Sequence, residues 1–158
     1  MYFAVVLASV PKKYERAQKY HVDLGVGDAV HPEARKVETP SISQEHTPLS
    51  WSVYPIETII SEKLHAVINL GSGNSRSKDI YDLSLLLPKA DPALLPESLK
   101  RTFANRKTIL PRDLMATLRN IDLQMIRRGW PSATAPIANA PTLDKAWGII
   151  IQKVEELL

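Results

Sequence analysis

From residue 55 onward, proline and glycine divide the sequence into segments that each fit a helix. Pro55 stands where a helix favours proline, at its first position, and Gly71 follows the apolar segment that comes next. The positions of proline and glycine predict five helices, at residues 56–70, 76–87, 96–105, 112–128 and 142–158, with a proline-rich linker at 131–141. Helices so closely spaced bury their apolar stripes against one another, which predicts a helical bundle.

The front of the chain favours strands instead. Residues 2–8 are rich in aromatic and β-branched side chains, and residues 20–26 alternate apolar with polar ones. Residues 27–50 contain three prolines and little periodicity, which predicts a long irregular arm with room for one short strand. We therefore expect an α+β fold, with a partial antiparallel sheet and arm at 1–50 and a helical domain at 51–158.

Composition excludes several classes of protein. The 158 residues are 44% hydrophobic and 23% charged, as in ordinary globular proteins. The absence of cysteine rules out disulfides and thiolate zinc sites. No apolar run is long enough to cross a membrane. In the apolar start of the chain, Lys12 and Lys13 follow the apolar residues rather than preceding them, which favours a strand over a signal peptide and predicts a cytoplasmic protein.

One lysine lies inside the apolar stripe of the first predicted helix. On a helical wheel with Ile56 at 0°, Lys63 falls at about 340°, between Leu70 and Val67. Burial of an ammonium group is costly unless it is paired or reaches water. Two interpretations stay open: a lysine that snorkels or forms a buried ion pair, and a lysine that holds an anion such as a phosphate in a cleft.

The second predicted helix carries two neighbouring carboxylates. Asp79 and Asp82 are three residues apart, on the side of the helix that also carries leucines. Adjacent carboxylates repel unless a cation lies near, and Lys63, Arg76, Lys78 or a metal could serve. Complementarity to the helix dipole is the simpler explanation for Asp79, and a worse one for Asp82. We expect the lysine and the acidic pair to converge on one anion pocket.

Other features are less specific. Between residues 100 and 128, basic residues outnumber acidic ones by six, which fits either an RNA contact or an ordinary solvated helical face. His21 and Asp23 share one face of a predicted strand, a weak candidate for a metal pair. We expect Trp51, Trp130 and Trp147 to pack in the core or between domains.

Three segments together resemble a known family. The two helical segments are Val53-Tyr-Pro-Ile-Glu-Thr-Ile-Ile-Ser-Glu-Lys-Leu-His-Ala66 and Asn74-Ser-Arg-Ser-Lys-Asp-Ile-Tyr-Asp-Leu83, and the strand segment is His21-Val-Asp-Leu-Gly-Val-Gly-Asp28. Their order and spacing resemble the AbiEii/AbiGii family of nucleotidyltransferase toxins, over roughly residues 1–90. The resemblance implies a fold like the polymerase-β nucleotidyltransferases, followed by a helical C-terminal bundle.

The resemblance also implies site residues and ligands. By this similarity, Asp23 is a sheet carboxylate that binds metal, Lys63 contacts the triphosphate, and Asp79 is a catalytic or orienting acid with Asp82 as its partner. We assign Arg76 and Lys78 to nucleotide binding. The implied ligands are Mg²⁺ with an NTP, and the implied partners are tRNA as acceptor and a cognate antitoxin, in a role in phage defence.

The sequence departs from the family pattern in one respect. It contains no Asp-x-Asp pair, and no Gly-rich motif precedes the strand segment. We therefore expect the C-terminal part of a family member, catalytically dead or impaired alone, because metal clamping lacks two carboxylates. An incomplete sheet would also leave an exposed edge that favours self-association. The alternative function is a non-catalytic module that binds RNA or an antitoxin.

Overall fold

A computed structural model describes residues 27–40, 47–70 and 76–158 of the chain. In this part of the chain, two strands precede six helices, which confirms the α+β class. The elements are β1 Arg35–Thr39, β2 Leu49–Val53, α1 Ile56–Leu70, α2 Ser77–Leu86, α3 Leu95–Asn105, α4 Leu114–Arg119, α5 Gln124–Thr134 and α6 Leu143–Leu157. A 3₁₀ turn, Leu87–Lys89, follows α2. None of these helices combines the length and the apolar character that a bilayer-crossing helix requires.

The two strands form an antiparallel hairpin in which Val37 lies opposite Trp51. Strand β2 of this hairpin crosses the predicted boundary between residues 50 and 51. The division of the chain into a sheet-and-arm part and a helical domain stays a prediction. Trp51 is 47% exposed, so it does not pack in the core, and packing between domains, the other placement expected for it, stays a prediction. Its indole N–H is satisfied within the hairpin, where it donates to Thr39 Oγ1 at 2.7 Å. The strands predicted at 2–8 and 20–26 lie outside the described residues.

The core lies among the helices. Helix α1 packs against α2 and α3, and α2 packs in turn against α5 and α6. Each of these helices contributes a stripe of buried apolar side chains, as the amphipathic patterns predict. The residues at the centre are Ile60, Leu64, Val67, Ile80, Leu83, Leu99, Phe103, Ile126, Ile150 and Val154. Trp130 is also buried and Trp147 packs against this core, as expected for both.

The helices bounded by strong local signals form where the sequence predicts them. Helix α1 has the predicted bounds, α2 is one residue shorter than predicted at each end, and α3 begins one residue earlier than predicted. Thr142 caps α6, and its hydroxyl accepts a hydrogen bond from the amide of Lys145 at 3.3 Å.

The long helix predicted at 112–128 is wrong. The chain instead forms α4, breaks at residues 120–123, and begins α5 with an Asx turn in which Asp122 Oδ1 accepts from the amide of Gln124. Helix α5 then continues through Pro131, where the sequence predicted a stop. Pro131 removes one backbone hydrogen bond from the helix, which costs stability. Burial of the neighbouring Trp130, whose indole N–H donates to the Pro141 carbonyl, offsets this cost.

Candidate functional site

The Lys63 amine lies between the two aspartates of the next helix. Its Nζ is 2.8 Å from Asp79 Oδ1 and 2.7 Å from Asp82 Oδ2. The predicted convergence of these three side chains is therefore confirmed. The Lys63 side chain is 21% exposed, against 15% for Asp79 and 42% for Asp82. The amine thus sits at the rim of the α1–α2 interface, neither in a dry interior nor fully in solvent.

The two carboxylates keep Lys63 charged. Burial removes water from the ammonium group and by itself would lower the pKa of Lys63. Hydrogen bonds to Asp79 and Asp82, together with their negative charges, outweigh this effect and raise the pKa of Lys63 above its ordinary value. Lys63 is therefore a fixed cation at neutral pH.

Asp79 is fully engaged by cations, whereas Asp82 is not. The second oxygen of Asp79 lies 3.3 Å from an Arg76 guanidinium nitrogen, so that this carboxylate bridges Lys63 and Arg76. Asp82 contacts Lys63 through one oxygen. Asp79 thereby positions two cations side by side, and Asp82 retains an oxygen on a more exposed carboxylate.

Lys63, Arg76 and Asp79, but not Asp82, line one side of an open cleft of about 520 Å³ that crosses α1. Apolar side chains of α1 form its floor, and charged groups stand on both walls. The wall near α2 carries Lys63, Arg76 and Asp79, and the opposite wall carries Asp28, Glu62 and Arg106. Three basic and three acidic residues line the cleft, so that its formal charge is neutral.

The opposite wall is held by Arg106, a site residue that sequence reasoning did not single out. Its guanidinium donates to Glu62 Oε2 at 2.7 Å and to Asp28 Oδ1 at 2.7 Å. Burial opposes the charged form, but the bond to Glu62, the stronger influence, raises the pKa of Arg106. These partners are 44 and 78 residues away in sequence, and no local pattern signals such a pairing.

His65 lies on the same side of the cleft. Its Nε2 is 3.0 Å from Thr108 Oγ1 and 2.5 Å from Asn69 Nδ2, and its ring meets Phe103 edge-on. Desolvation by burial lowers the pKa of His65, and the nearby charge of Glu62 only partly opposes it. The imidazole is therefore neutral at physiological pH, and it serves the cleft as a hydrogen-bonding group rather than as a charge.

Comparison with protein families agrees with the motifs in this cleft. The family model for the nucleotidyl transferase AbiEii toxin of type IV toxin–antitoxin systems matches residues 2–153. The chain belongs to the AbiEii family. The match extends beyond the two helical motifs into α6, a region that resemblance alone did not diagnose. Searches of curated proteins and of solved structures find no match.

The AbiEii family consists of nucleotidyltransferase toxins of type IV toxin–antitoxin systems. Such a family implies a nucleotide substrate and a cognate antitoxin. It also suggests use of NTP and a metal. In the described ranges, however, no group of three or more histidine or carboxylate residues is placed to hold a metal ion. Asp79 is already engaged by two cations, so the described residues do not themselves form a metal site.

Three predicted site residues are not brought into the cleft lining by the described structure. Asp82 contacts Lys63 but does not itself line the cleft. Lys78 is exposed and lines a different depression, with Gly129 and Ser132, on the side of α2 that faces α5. Asp23 lies outside the described residues, as does His21. The roles assigned to Lys63, Asp79, Asp82, Arg76, Lys78 and Asp23 stay predictions.

The basic residues between 100 and 128 divide into two groups. Four are paired with acids: Arg101 with Glu97, Arg106 with Glu62 and Asp28, Arg119 with Glu155, and Arg127 with Asp144. The other four, Lys100, Lys107, Arg112 and Arg128, are exposed and make no ion pair with any described residue. The positive charge that no described acid pairs with in this region therefore comes from the second group.

Proposed function

We propose that the cleft binds an NTP and that this AbiEii chain serves nucleotidyl transfer, in which NMP passes from NTP to an acceptor such as tRNA. The observation that carries the proposal is the Lys63 ammonium group, fixed at 2.8 and 2.7 Å from two carboxylates beside a cleft of about 520 Å³. An ammonium group has three hydrogens, and the carboxylates take two. The third is available to a phosphate oxygen.

Each site residue has a role in this proposal. Lys63 and Arg76 contact the triphosphate, and Asp79 positions both cations because it bonds to each. Asp82 lies outside the cleft lining and acts through Lys63, whose amine it holds at 2.7 Å. Lys78, on the neighbouring surface, contacts the part of the nucleotide or acceptor that leaves the cleft.

The charge of the cleft bears on how the NTP binds. A triphosphate is strongly anionic, whereas the lining is formally neutral, so that a bare NTP gains little net attraction here. We therefore propose that the NTP enters as its Mg²⁺ complex and that Asp23 supplies a metal-binding oxygen. Because the sequence has no Asp-x-Asp pair, we propose that this polypeptide alone transfers nucleotide poorly or not at all.

Thermal unfolding with and without nucleotide tests the binding step. Mg²⁺–NTP at about 100 times its Kd should stabilise the chain by about 2.7 kcal/mol. Lys63→Met should abolish the rise in Tm, because the phosphate loses its fixed cation. Lys145→Met is the matched control, since Lys145 is an exposed lysine of α6 that does not line the cleft. An equal rise in wild type and Lys63→Met would contradict the proposal.

A transfer assay tests the catalytic step separately. Labelled NTP, Mg²⁺ and tRNA should yield little incorporation with the pure chain. Robust incorporation would show that the missing Asp-x-Asp pair is dispensable, without contradicting NTP binding in the cleft. Addition of EDTA should remove any signal, because the metal-complexed nucleotide is the proposed substrate.

A non-catalytic module that binds RNA or an antitoxin is the second candidate. The four exposed basic residues without ion pairs favour it, since unpaired cations are available to phosphates. RNA binding that weakens steeply with salt, and that Lys63→Met leaves unchanged, would support this function. Arg127→Ala with Arg128→Ala should reduce the salt slope, mainly through Arg128, because Arg127 is paired with Asp144.

The wider biological role is part of the same proposal. We propose a cytoplasmic toxin that acts in phage defence and is countered by its cognate antitoxin, in line with the family. We also propose self-association through the sheet edge, because the sheet has two strands in the described part of the chain, so that each outer edge is unpaired there. Val37, Leu49, Trp51 and Val53 add an exposed apolar face beside these edges. Sedimentation of the wild-type chain and of Trp51→Ala tests the last point.

A further inference from the structure

We propose that Asp28 binds a ribose hydroxyl of the nucleotide, so that the cleft prefers ribonucleotides to deoxyribonucleotides. The inference rests on the proposed binding of NTP and gives a function to the wall of the cleft that lies opposite Lys63. Asp28 lines that wall, and its side chain is 16% exposed. The roles proposed for Lys63, Arg76 and Asp79 concern the other wall and the phosphates.

One oxygen of the Asp28 carboxylate is fixed, and the other is available to a ligand. Oδ1 accepts a hydrogen bond from Arg106 Nη2 at 2.7 Å. Oδ2 accepts no hydrogen bond from the residues that the structure describes, and it is not one of their buried polar atoms without a partner. Because a carboxylate oxygen only accepts hydrogen bonds, this wall offers an acceptor to a donor on the ligand.

The position of Asp28 across the cleft indicates that this donor is on the ribose. Asp28 shares Arg106 with Glu62, and Glu62 and Lys63 are consecutive residues of α1. Consecutive side chains leave a helix about 100° apart, so that Glu62 and Lys63 stand on the two walls of the cleft. In a nucleotide the ribose is joined directly to the phosphates. A triphosphate held at Lys63 therefore brings the ribose hydroxyls toward the wall that carries Asp28.

A hydroxyl suits this carboxylate better than a second cation does. Arg106 already pairs with Asp28, and among the described residues no group of three or more histidines and carboxylates is placed to hold a metal ion around it. Folds that bind dinucleotides recognise a ribose hydroxyl with an aspartate or a glutamate, which is the same pairing of groups. A hydrogen bond to a charged acceptor is also stronger than one between neutral groups, so that its loss is measurable.

Arg106 fixes the carboxylate of Asp28, and two buried hydroxyls fix the backbone three residues further along. Thr58 Oγ1 donates to the carbonyl of His31 at 2.8 Å and accepts from the amide of His31 at 3.0 Å. Ser98 Oγ donates to the same carbonyl. Thr58 and Ser98 are both buried and neither lines the cleft. These contacts make Arg106, Thr58 and Ser98 positioning residues for Asp28.

Calorimetric titration of the full chain with Mg²⁺-complexed nucleotides tests the proposal. The four ribonucleotides are compared first, and the one that binds most tightly is then compared with its 2′-deoxy and 3′-deoxy analogues. The wild-type chain should bind one of the analogues at least about tenfold more weakly, because the Asp28 oxygen loses its donor. Asp28→Ala should bind all three nucleotides with equal affinity. Glu33→Ala, which removes an exposed acid from the same segment but outside the cleft, should keep the wild-type preference.

A second pair of variants tests the positioning residues without touching the cleft. Thr58→Val combined with Ser98→Ala removes the three hydrogen bonds to His31 and should lower the preference for the ribonucleotide at least about threefold. A general loss of stability would not change the ratio of the two affinities. Thr102→Val is the matched control, because it removes a buried hydroxyl of α3 that has no hydrogen-bond partner, and it should leave the ratio unchanged.

The possible outcomes separate this proposal from NTP binding itself. Equal affinity of the wild-type chain for the ribonucleotide and both analogues would overturn the role of Asp28, while binding that Lys63→Met abolishes would still support an NTP site. A preference that survives in Asp28→Ala would also overturn it. So would an Asp28→Ala variant that weakens all three nucleotides by the same factor, because Asp28 would then act on the metal or the phosphates. Absence of binding by every nucleotide would overturn both proposals.

Discussion

Replacement of Lys63 by methionine is the most direct test of the ion-pair cluster. Lys63→Met keeps most of the aliphatic stem but removes the charge, and leaves Asp79 with Arg76 as its cationic partner. Loss of one partner from a fully buried pair costs about 3–5 kcal/mol, whereas an exposed pair contributes about 0.2–1 kcal/mol. The Lys63 side chain is 21% exposed, so we expect the free energy of unfolding to fall by about 2 kcal/mol.

Double-mutant cycles divide this loss between the two aspartates. Asp79 is 15% exposed and Asp82 is 42% exposed, although both lie within 2.8 Å of the amine. Water screens the second pair more, so we expect a coupling of about 1–2 kcal/mol between Lys63 and Asp79, and less than about 1 kcal/mol between Lys63 and Asp82. Asp79→Asn and Asp82→Asn are the matched variants because both keep the shape of the side chain.

Urea denaturation followed by far-UV circular dichroism gives these energies. Because the folded-state pKa of Lys63 is raised, its contribution is complete below the unfolded value of about 10.5 and is lost only as the pH rises through the folded pKa. The difference between wild type and Lys63→Met should therefore be the same from about pH 6 to pH 9. A neutral or stabilising Lys63→Met would refute the reasoning, since desolvation would then cancel the gain from the pair.

Three further variants test the opposite wall of the cleft and the core. Arg106→Ala should lower the free energy of unfolding by about 1 kcal/mol in urea titrations, because Glu62 and Asp28 lose a shared cation. His65→Gln should flatten the loss of stability below about pH 6.5, because the folded-state pKa of His65 is lowered and the unfolded chain takes up the proton more readily. Phe103→Ala should cost about 3–5 kcal/mol by thermal or urea unfolding, because the ring is only 1% exposed.

Two of these variants have a control in the chain. Arg101→Ala removes an exposed pair with Glu97 and should cost less than about 0.5 kcal/mol, and an equal cost for Arg106→Ala would contradict a special role for Arg106. Trp51→Ala removes a larger ring than Phe103→Ala but from an exposed position, so its cost should be far smaller. An unchanged acid profile in His65→Gln would assign the acid sensitivity to other groups.

The parts of the fold that could be predicted from sequence are those fixed by local rules. Helix α1 begins directly after Pro55, as predicted, because proline fixes the backbone at its own position and suits the start of a helix. The contact of Lys63 with Asp79 and Asp82 could also be predicted from the sequence. A cation in an apolar stripe is stable when an anion pairs with it, and the next helix carries two carboxylates.

The parts that could not be predicted depend on distant partners. Helix α5 runs through Pro131 because Trp130 is buried against other helices. The free energy gained from this burial depends on distant residues, so helix propensity alone does not predict it. The aromatic ring of Trp51 predicts packing in the core or between domains, but its hairpin partner Thr39 accepts the indole hydrogen bond at the surface. Nothing in the sequence distinguishes Arg106 from the other basic residues between 100 and 128. Its partners Glu62 and Asp28 become its neighbours only in the folded chain.

Asp82 separates the structural from the functional interpretation of the cluster. An ion pair that only stabilises the α1–α2 interface predicts that Asp82→Asn, at a 42% exposed position, has little effect on anything measured. A site that binds Mg²⁺–NTP predicts a different outcome, because the variant keeps an oxygen that accepts from Lys63 but removes a negative charge from beside the cation that contacts the phosphates. We expect stability to change by less than about 1 kcal/mol while the NTP-induced rise in Tm differs clearly from wild type. If both quantities stay at their wild-type values, Asp82 has no part in nucleotide binding, and the cluster reduces to a partly buried salt bridge.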